Sequence, residues 1–125
     1  MCIRDRGIVD NTVSIKEPLL YDLGPEWEAK LTTTAFLKEV GIERLRIEFA
    51  DVPYAGHHLE DGYNAFYLTG LRHGWIRNVH IHNADAGILS TSSSNLTLRN
   101  LTFTGRTSHY NIHMGDAHHL SLIHI

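Results

Sequence analysis

Two short patterns of apolar and polar residues recur along the chain with a basic spacing of 22 residues. The first has the form apolar-x-x-apolar-x-apolar and occurs at 42–47, 76–81 and 98–103. The second is a four-residue, largely apolar piece that occurs at 65–68, 87–90 and 111–114. Phe66 and Ile88 are 22 residues apart, and so are Ile76 and Leu98. The two patterns therefore keep a fixed phase, which indicates an internal structural repeat.

Both patterns alternate with a period of two, which is typical of β-strands. A unit of so few short strands cannot bury its apolar face alone, so like strands are expected to stack on like in parallel ladders. The sequence therefore predicts an all-β fold, a single-stranded right-handed parallel β-helix. This solenoid would have about four to five coils and would be truncated at both ends. Three inward columns are expected: Phe66, Ile88 and Ile112; Ile42, Ile76 and Leu98; and Ile47, Ile81 and Phe103.

Asn78 and Asn100 hold equivalent positions between inward residues of the first pattern. Asparagine tolerates left-handed backbone better than most residues, and stacked amides can hydrogen-bond to each other. We therefore expect a structural asparagine ladder at a corner of the coil. The alternative is that both side chains are exposed and unconnected.

A leucine-rich repeat is the main alternative for the fold. Its period also spans about 20–29 residues, and Leu98, Leu101 and Phe103 match part of its core pattern. That repeat has one strand followed by a helical or irregular return. Here a second strand pattern occupies the return, which favours the β-helix.

The two ends of the chain can be read from one short DNA on opposite strands. Residues 120–125 can be encoded as CTG-TCT-CTT-ATA-CAC-ATC, and the reverse complement of that DNA encodes the start, Met-Cys-Ile-Arg-Asp. This DNA resembles a transposon-end adapter of sequencing libraries. We therefore interpret 1–6 and 120–125 as adapter-derived scars and exclude them from fold reasoning. The segment 7–119 is then an interior β-helix fragment of metagenomic type, with neither native terminus in view.

The strand pattern is interrupted in two places within this fragment. Residues 23–37 are interpreted as an excursion with a short helix at Pro25–Lys30, and 50–61 as an inserted loop. Before the excursion, Val13 and Ile15 suggest an earlier turn of the coil.

Composition excludes several classes of site. The single cysteine, Cys2, lies in the adapter segment, so the fragment has no disulfide, thiol nucleophile or thiolate metal site. Without Arg4, Asp5 and Arg6, the 11 Lys and Arg become nine and the 14 Asp and Glu become thirteen. This acidic balance argues against nucleic-acid binding. No apolar run reaches the roughly 20 residues of a membrane span.

The chain resembles the pectate-lyase superfamily of right-handed β-helices over roughly residues 38–119. The resemblance rests on the segments 40–49, 62–65 and 75–85. It implies an extracellular or periplasmic protein whose partner is a polysaccharide, such as acidic pectin. The superfamily contains lyases, hydrolases, epimerases and tailspikes, so the resemblance indicates a fold more than a reaction. A lyase of this family would require calcium.

The inserted loop is the first candidate site, because loops on a rigid scaffold often carry function. Its carboxylates and imidazoles could act as general acids or bases, and its tyrosine could contact sugar. The alternative is a solvated loop without chemistry. The loop residues of interest are Asp51, Tyr54, His57, His58, Glu60 and Asp61. Adjacent His57 and His58 would face opposite ways on a strand, so no metal site is predicted.

The outward strand faces are the second candidate, with Tyr54 as a further sugar contact at the loop. Alternation places His80 and His82 on one outward face, and Tyr67 and His113 on another. Such faces could bind substrate or could be ordinary solenoid surface. Asp116 is a third candidate, because closely spaced Asp residues catalyse hydrolysis in β-helix polygalacturonases. The candidate catalytic residues are thus His57, His58, Glu60, Asp61 and Asp116.

Two functions from different classes remain open. The first is a fragment of a secreted polysaccharide lyase or glycoside hydrolase. The second is a non-catalytic β-helix of the adhesin or tailspike type, which binds glycans or spans distance. Convergence of the candidate side chains on one groove would favour the enzyme.

Overall fold

The computed structural model of the chain describes residues 5–10, 12–15, 19, 22–30, 32, 35–53, 55, 59, 62–106 and 109–125, and for 5–8 the backbone alone. The chain divides into a smaller unit, Cys2–Ala35, and a larger unit, Phe36–Ile125. No described helix is long and apolar enough to cross a bilayer.

The smaller unit contains an antiparallel hairpin of β1 (Asp5–Val9) and β2 (Thr12–Ile15). Asp10 in the two-residue connection has a left-handed φ of 51°, as tight hairpin turns require. The sequence suggested that Val13 and Ile15 start an earlier parallel turn, and the structure differs. A two-residue loop closes an antiparallel pair directly, whereas a parallel pair needs a long crossover.

A short helical turn follows the hairpin within the smaller unit. The predicted helix at Pro25–Lys30 is a single 3-10 turn, Pro25–Trp27. It begins at a proline, which is preorganised for the first helical position, and ends at Glu28 with a left-handed φ of 43°.

The larger unit is all-β and consists of three parallel sheets. Sheet 3 contains β3 (Leu37–Lys38), β6 (Leu71–Arg72), β9 (Ser93–Ser94) and β12 (Ala117–His118). Sheet 1 contains β4 (Gly41–Glu48), β7 (Trp75–His82), β10 (Thr97–Thr104) and β13 (Ser121–Ile123). Sheet 2 contains β5 (Asn64–Thr69), β8 (Ala86–Thr91) and β11 (Tyr110–Met114).

The strand registers place like residues beside like. Ile76 pairs with Ile42 on one side and Leu98 on the other. Ile88 pairs in the same way with Phe66 and Ile112. The third predicted column, Ile47, Ile81 and Phe103, also holds. The three predicted columns are therefore confirmed, and two neighbouring strands bury each central residue.

β13 lies in the segment that the sequence assigned to the adapter. It pairs in parallel with β10, with Leu122 beside Leu98. The apparent match of Leu120 to the 22-residue spacing is therefore not the register that forms. The final segment nevertheless adds a strand, because an alternating apolar pattern is sufficient to extend an open parallel edge.

Single residues in the left-handed conformation turn the backbone at equivalent positions of successive repeats. One column, within the sheet 1 strands, comprises Arg44, Asn78, Asn100 and His124, with φ between 52° and 55°. A second, between sheets 3 and 1, comprises Glu39, His73, Asn95 and His119, with φ between 54° and 56°. A third, between sheets 2 and 3, comprises Gly70, Ser92 and Asp116. In the first column Asn100 Nδ2 donates to Asn78 Oδ1 at 2.9 Å.

The core runs between the sheets and is best covered in the middle of the stack. Val79 is 2 % exposed, whereas its equivalent Leu45 on the edge strand β4 is 42 % exposed. Ile76, Ile81, Ile88 and Leu98 are each almost fully buried. Burial therefore depends on having a neighbouring strand on both sides, as expected when each repeat contacts only its neighbours.

Candidate functional site

The outward side of β4, β7 and β10 carries rows of polar and aromatic side chains, which we call the sheet 1 face. Alternation turns these residues outward, because Ile76, Val79 and Ile81 of β7 point into the core. Four rows cross the face: Gly41, Trp75 and Thr97; Glu43, Arg77 and Arg99; Arg46, His80 and Thr102; and Glu48, His82 and Thr104.

A hydrogen-bonded chain crosses this face at the carboxyl end of the strands. Arg46 Nη1 lies 2.8 Å from His80 Nδ1. His80 Nε2 lies 2.7 Å from Thr104 Oγ1, and His82 Nδ1 lies 2.8 Å from the same oxygen. Side chains from three neighbouring strands thus converge on one hydroxyl group.

Arg46 also binds the carboxylate next to it. Its Nε and Nη2 donate to Glu48 Oε2 at 3.0 and 2.9 Å. The hydrogen bonds and charge of Arg46 lower the pKa of Glu48 below its ordinary value of 4.5, and His82 and His80 contribute less. Glu48 is therefore an anion at neutral pH and a poor proton donor.

An aromatic and ionic cluster occupies the other end of the sheet 1 face. Trp75 Nε1 donates to Glu43 Oε1 at 2.6 Å, and Arg77 forms an ion pair with the same oxygen. Arg77 also lies 5.2 Å from the centre of the Trp75 ring, a cation–π distance. Gly41 is required here, because any side chain at that position would overlap the indole. Contacts with Arg77 first, and Trp75 second, lower the pKa of Glu43.

A cleft of about 380 Å³ lies beside this cluster. Its lining combines an aromatic ring, a guanidinium group and small polar groups from the corner between sheets 3 and 1. The residues that line it are His73, Gly74, Trp75, Arg77, Asn95 and Thr97. This combination suits a ligand with both apolar faces and hydrogen-bonding edges.

A buried ion pair anchors both ends of the inserted loop. Arg106 Nη2 lies 2.7 Å from Asp85 Oδ1, with side chains 12 % and 9 % exposed. Arg106 Nη1 donates to the Val52 carbonyl at 3.2 Å, at the start of the loop. At the other end, the Tyr63 backbone N–H donates to Asp85 Oδ2 at 2.6 Å. Arg106 also lies 5.1 Å from the centre of the Tyr63 ring.

The loop therefore starts and ends next to the carboxyl end of the sheet 1 face. Phe49, which follows β4 directly, stacks on Tyr63 with 5.1 Å between ring centres. Asn83 Nδ2 donates to the Phe49 carbonyl at 3.3 Å, and Asn83 Oδ1 accepts from the Arg106 backbone N–H at 3.1 Å. These contacts fix the loop ends to the corners that follow β7 and β10.

The predicted site residues fall into three groups. His80 and His82 lie together on the sheet 1 face, whereas Tyr67 and His113 flank Leu89 in a row of sheet 2. Asp116 is an exposed corner residue with a φ of 46°, away from the sheet 1 strands. Asp51 is exposed. The remaining candidates, Tyr54, His57, His58, Glu60 and Asp61, lie outside the described residues.

Several residues of the face and its corner were not singled out from the sequence. For Thr104 and Trp75 the signal was present, since both align with the predicted histidine rows in a 22-residue register. Glu43 and Arg77 could have been found as an opposite-charge pair at equivalent positions. Asp85 and Arg106 follow different strands at corners of different length, so no fixed spacing relates them.

Metal binding was tested from the donor groups. Among the described residues, no three His, Cys, Asp or Glu side chains come close enough together to hold an ion. In comparisons with known proteins, no family model, curated protein or solved structure matches the chain. The function is therefore argued from the geometry of the site.

Proposed function

We propose that the chain is a section of a right-handed parallel β-helix from a carbohydrate-active protein, and that its sheet 1 face binds an acidic polysaccharide. One observation carries the proposal. Arginines, imidazoles and an indole lie in register on three adjacent strands of one rigid sheet.

The β-helix part of the proposal is supported by the order in which the chain visits the sheets. It passes from sheet 3 to sheet 1 to sheet 2 and repeats this order along Phe36–Ile125. Left-handed corners at equivalent positions accompany each passage. A leucine-rich repeat fits less well, because it has one strand ladder and a helical or irregular return.

The acidic nature of the ligand follows from the charges on the face. Arg46, Arg77 and Arg99 are opposed by only Glu43 and Glu48, although the whole chain has a net charge of −3. Guanidinium groups bind carboxylates through paired hydrogen bonds, and an indole packs against the apolar side of a sugar ring. The face thus concentrates cations on an otherwise acidic chain.

Binding is better supported than catalysis on this face. Glu48 is held as an anion by Arg46, and Glu43 by Arg77 and Trp75, so neither provides the protonated acid of a hydrolase. A polysaccharide lyase or hydrolase is the second candidate, because His80 and His82 converge on one hydroxyl group beside the loop ends. The resemblance noted above places such a protein outside the cytoplasm.

The test is titration of the 125-residue chain with a polygalacturonate oligomer and with its carboxyl-reduced counterpart. We expect binding of the charged oligomer only, with chemical-shift changes on β4, β7 and β10. Trp75→Ala should weaken binding about tenfold, because base- or sugar-type stacking on an aromatic ring contributes about 1–3 kcal/mol. The matched control is Tyr67→Ala, which removes an exposed aromatic ring from sheet 2 and should leave binding unchanged.

Two results would contradict the proposal. One is equal affinity for the charged and the carboxyl-reduced oligomers. The other is a map of shift changes centred on sheet 2. Release of unsaturated or reducing sugar ends during the titration would favour the enzyme, and loss of that release in His82→Ala would assign it to this face.

A further inference from the structure

The chain of hydrogen bonds across the sheet 1 face has a defined direction. Arginine can donate hydrogen bonds but has no acceptor. His80 Nδ1, at 2.8 Å from Arg46 Nη1, must therefore accept and carry no proton. A neutral imidazole has one N–H group, so the proton of His80 is on Nε2.

The same reasoning passes through the threonine to the second histidine. His80 Nε2–H donates to Thr104 Oγ1 at 2.7 Å. Thr104 is then free to donate its own proton to His82 Nδ1, at 2.8 Å. This bond leaves the N–H of neutral His82 on Nε2. Within the described residues, His82 Nε2 has no hydrogen-bond partner.

We propose that His82 Nε2–H is the ligand-facing hydrogen-bond donor of this chain, and that it recognises a carboxylate oxygen of the bound acidic sugar. Arg46, His80 and Thr104 are positioning residues that fix its tautomer. Hydrogen bonds in a chain polarise one another, so a cation at the far end strengthens the terminal donor. This inference rests on the proposed function, because the carboxylate belongs to the polysaccharide.

The charged neighbours of His82 agree with a donor role. Glu48 lies beside it on β4 and is bound by Arg46 at 2.9 Å, which leaves part of its acceptor capacity occupied. His80 lies on the same strand, with 6.2 Å between ring centres, and Thr104 lies beside His82 on β10. The β7 strand is paired on both sides, so the imidazole is held on a rigid support.

The first test needs no ligand. Long-range proton–nitrogen NMR of the chain labelled with ¹⁵N-histidine reports which ring nitrogen carries the proton. We expect Nε2–H for both His80 and His82 at neutral pH. Thr104→Val should release the preference of His82 and leave that of His80, whereas Arg46→Gln should release both. Thr102→Val, in the same strand and outward-facing, is the matched control and should change neither.

The second test measures affinity for the polygalacturonate oligomer. His82→Ala should weaken binding about tenfold, and His82→Gln should retain most of it, because the Gln amide places an N–H near the position of Nε2. The carboxyl-reduced oligomer should not distinguish these variants.

The outcomes separate this inference from the proposed function. If His82 carries its proton on Nδ1, or if Thr104→Val leaves its tautomer unchanged, the inference is wrong whatever binds. If the wild type binds the charged oligomer and His82→Ala binds it equally well, the inference is wrong and the proposed function stands. If the tautomers are as expected but the wild type binds no charged oligomer, the proposed function fails and the carboxylate assignment fails with it.

Discussion

At the scale of single residues, backbone conformation explains why the corners accept unusual side chains. Arg44 occupies the left-handed column that Asn78 and Asn100 also occupy, yet arginine has no local hydrogen bond to offset that conformation. Left-handed backbone costs about 1–2 kcal/mol for most residues. The asparagines reduce this cost and bind each other, and Arg44 does neither.

We therefore predict that Arg44→Asn stabilises the protein. The new amide would extend the Asn78–Asn100 hydrogen bond by one member, and the free energy of unfolding in urea should rise by about 1 kcal/mol. Arg99→Asn is the control, because Arg99 is exposed on a strand without left-handed backbone. Equal effects of the two substitutions would show that the corner conformation is not the cause.

The pKa of Glu43 gives a prediction with a definite sign. Because its pKa is lowered in the folded state, its contribution to stability is present above 4.5 and is lost as the pH falls through the lowered value. We expect the wild type and Glu43→Gln to differ in Tm at neutral pH and to approach each other in that acidic window. A difference that is constant from neutral to acidic pH would contradict the assigned ion pair with Arg77.

At the scale of strands, the energy of a core residue depends on its place in the stack. Ile88 is fully buried between Phe66 and Ile112, whereas Ile42 lies on the edge strand β4. Ile88→Ala should cost about 2–5 kcal/mol of unfolding free energy, as buried Ile-to-Ala changes do. Ile42→Ala should cost clearly less, and equal losses in urea unfolding would argue against nearest-neighbour stacking.

The connections between strands are the second feature at this scale. Asp85→Asn would leave the Arg106 guanidinium poorly compensated in a nearly buried position, and we expect a loss of about 3–5 kcal/mol. Glu48→Gln breaks an exposed pair and should cost about 1 kcal/mol or less. Thermal unfolding of both variants checks this, and similar losses would mean that Asp85 does not anchor the loop ends.

At the scale of the whole molecule, the sequence was informative where residue types and spacing agree. The columns through Ile76 and Ile88 were predictable, because apolar residues alternate in register over strands of at least five residues. Sheet 3 was not separated as a ladder of its own, since its strands have only two residues each and show no period.

The site was predictable to a smaller extent, for similar reasons. Alternation was sufficient to place His80 and His82 on one face. It could not connect them to Thr104, because that contact depends on the register of a neighbouring strand. Corners occupied by Glu39 or His73 were also missed, because neither residue type favours left-handed backbone and the turn imposes it.

Stacking of like residues along one axis is the central claim, and both proposals depend on it. Methyl and aromatic NOEs from Ile88 test it most directly. The register predicts NOEs from the Ile88 methyl groups to the Phe66 ring and to the Ile112 methyl groups. The absence of both contacts in a folded sample, or NOEs from Ile88 to outward residues such as Tyr67 instead, would contradict the account.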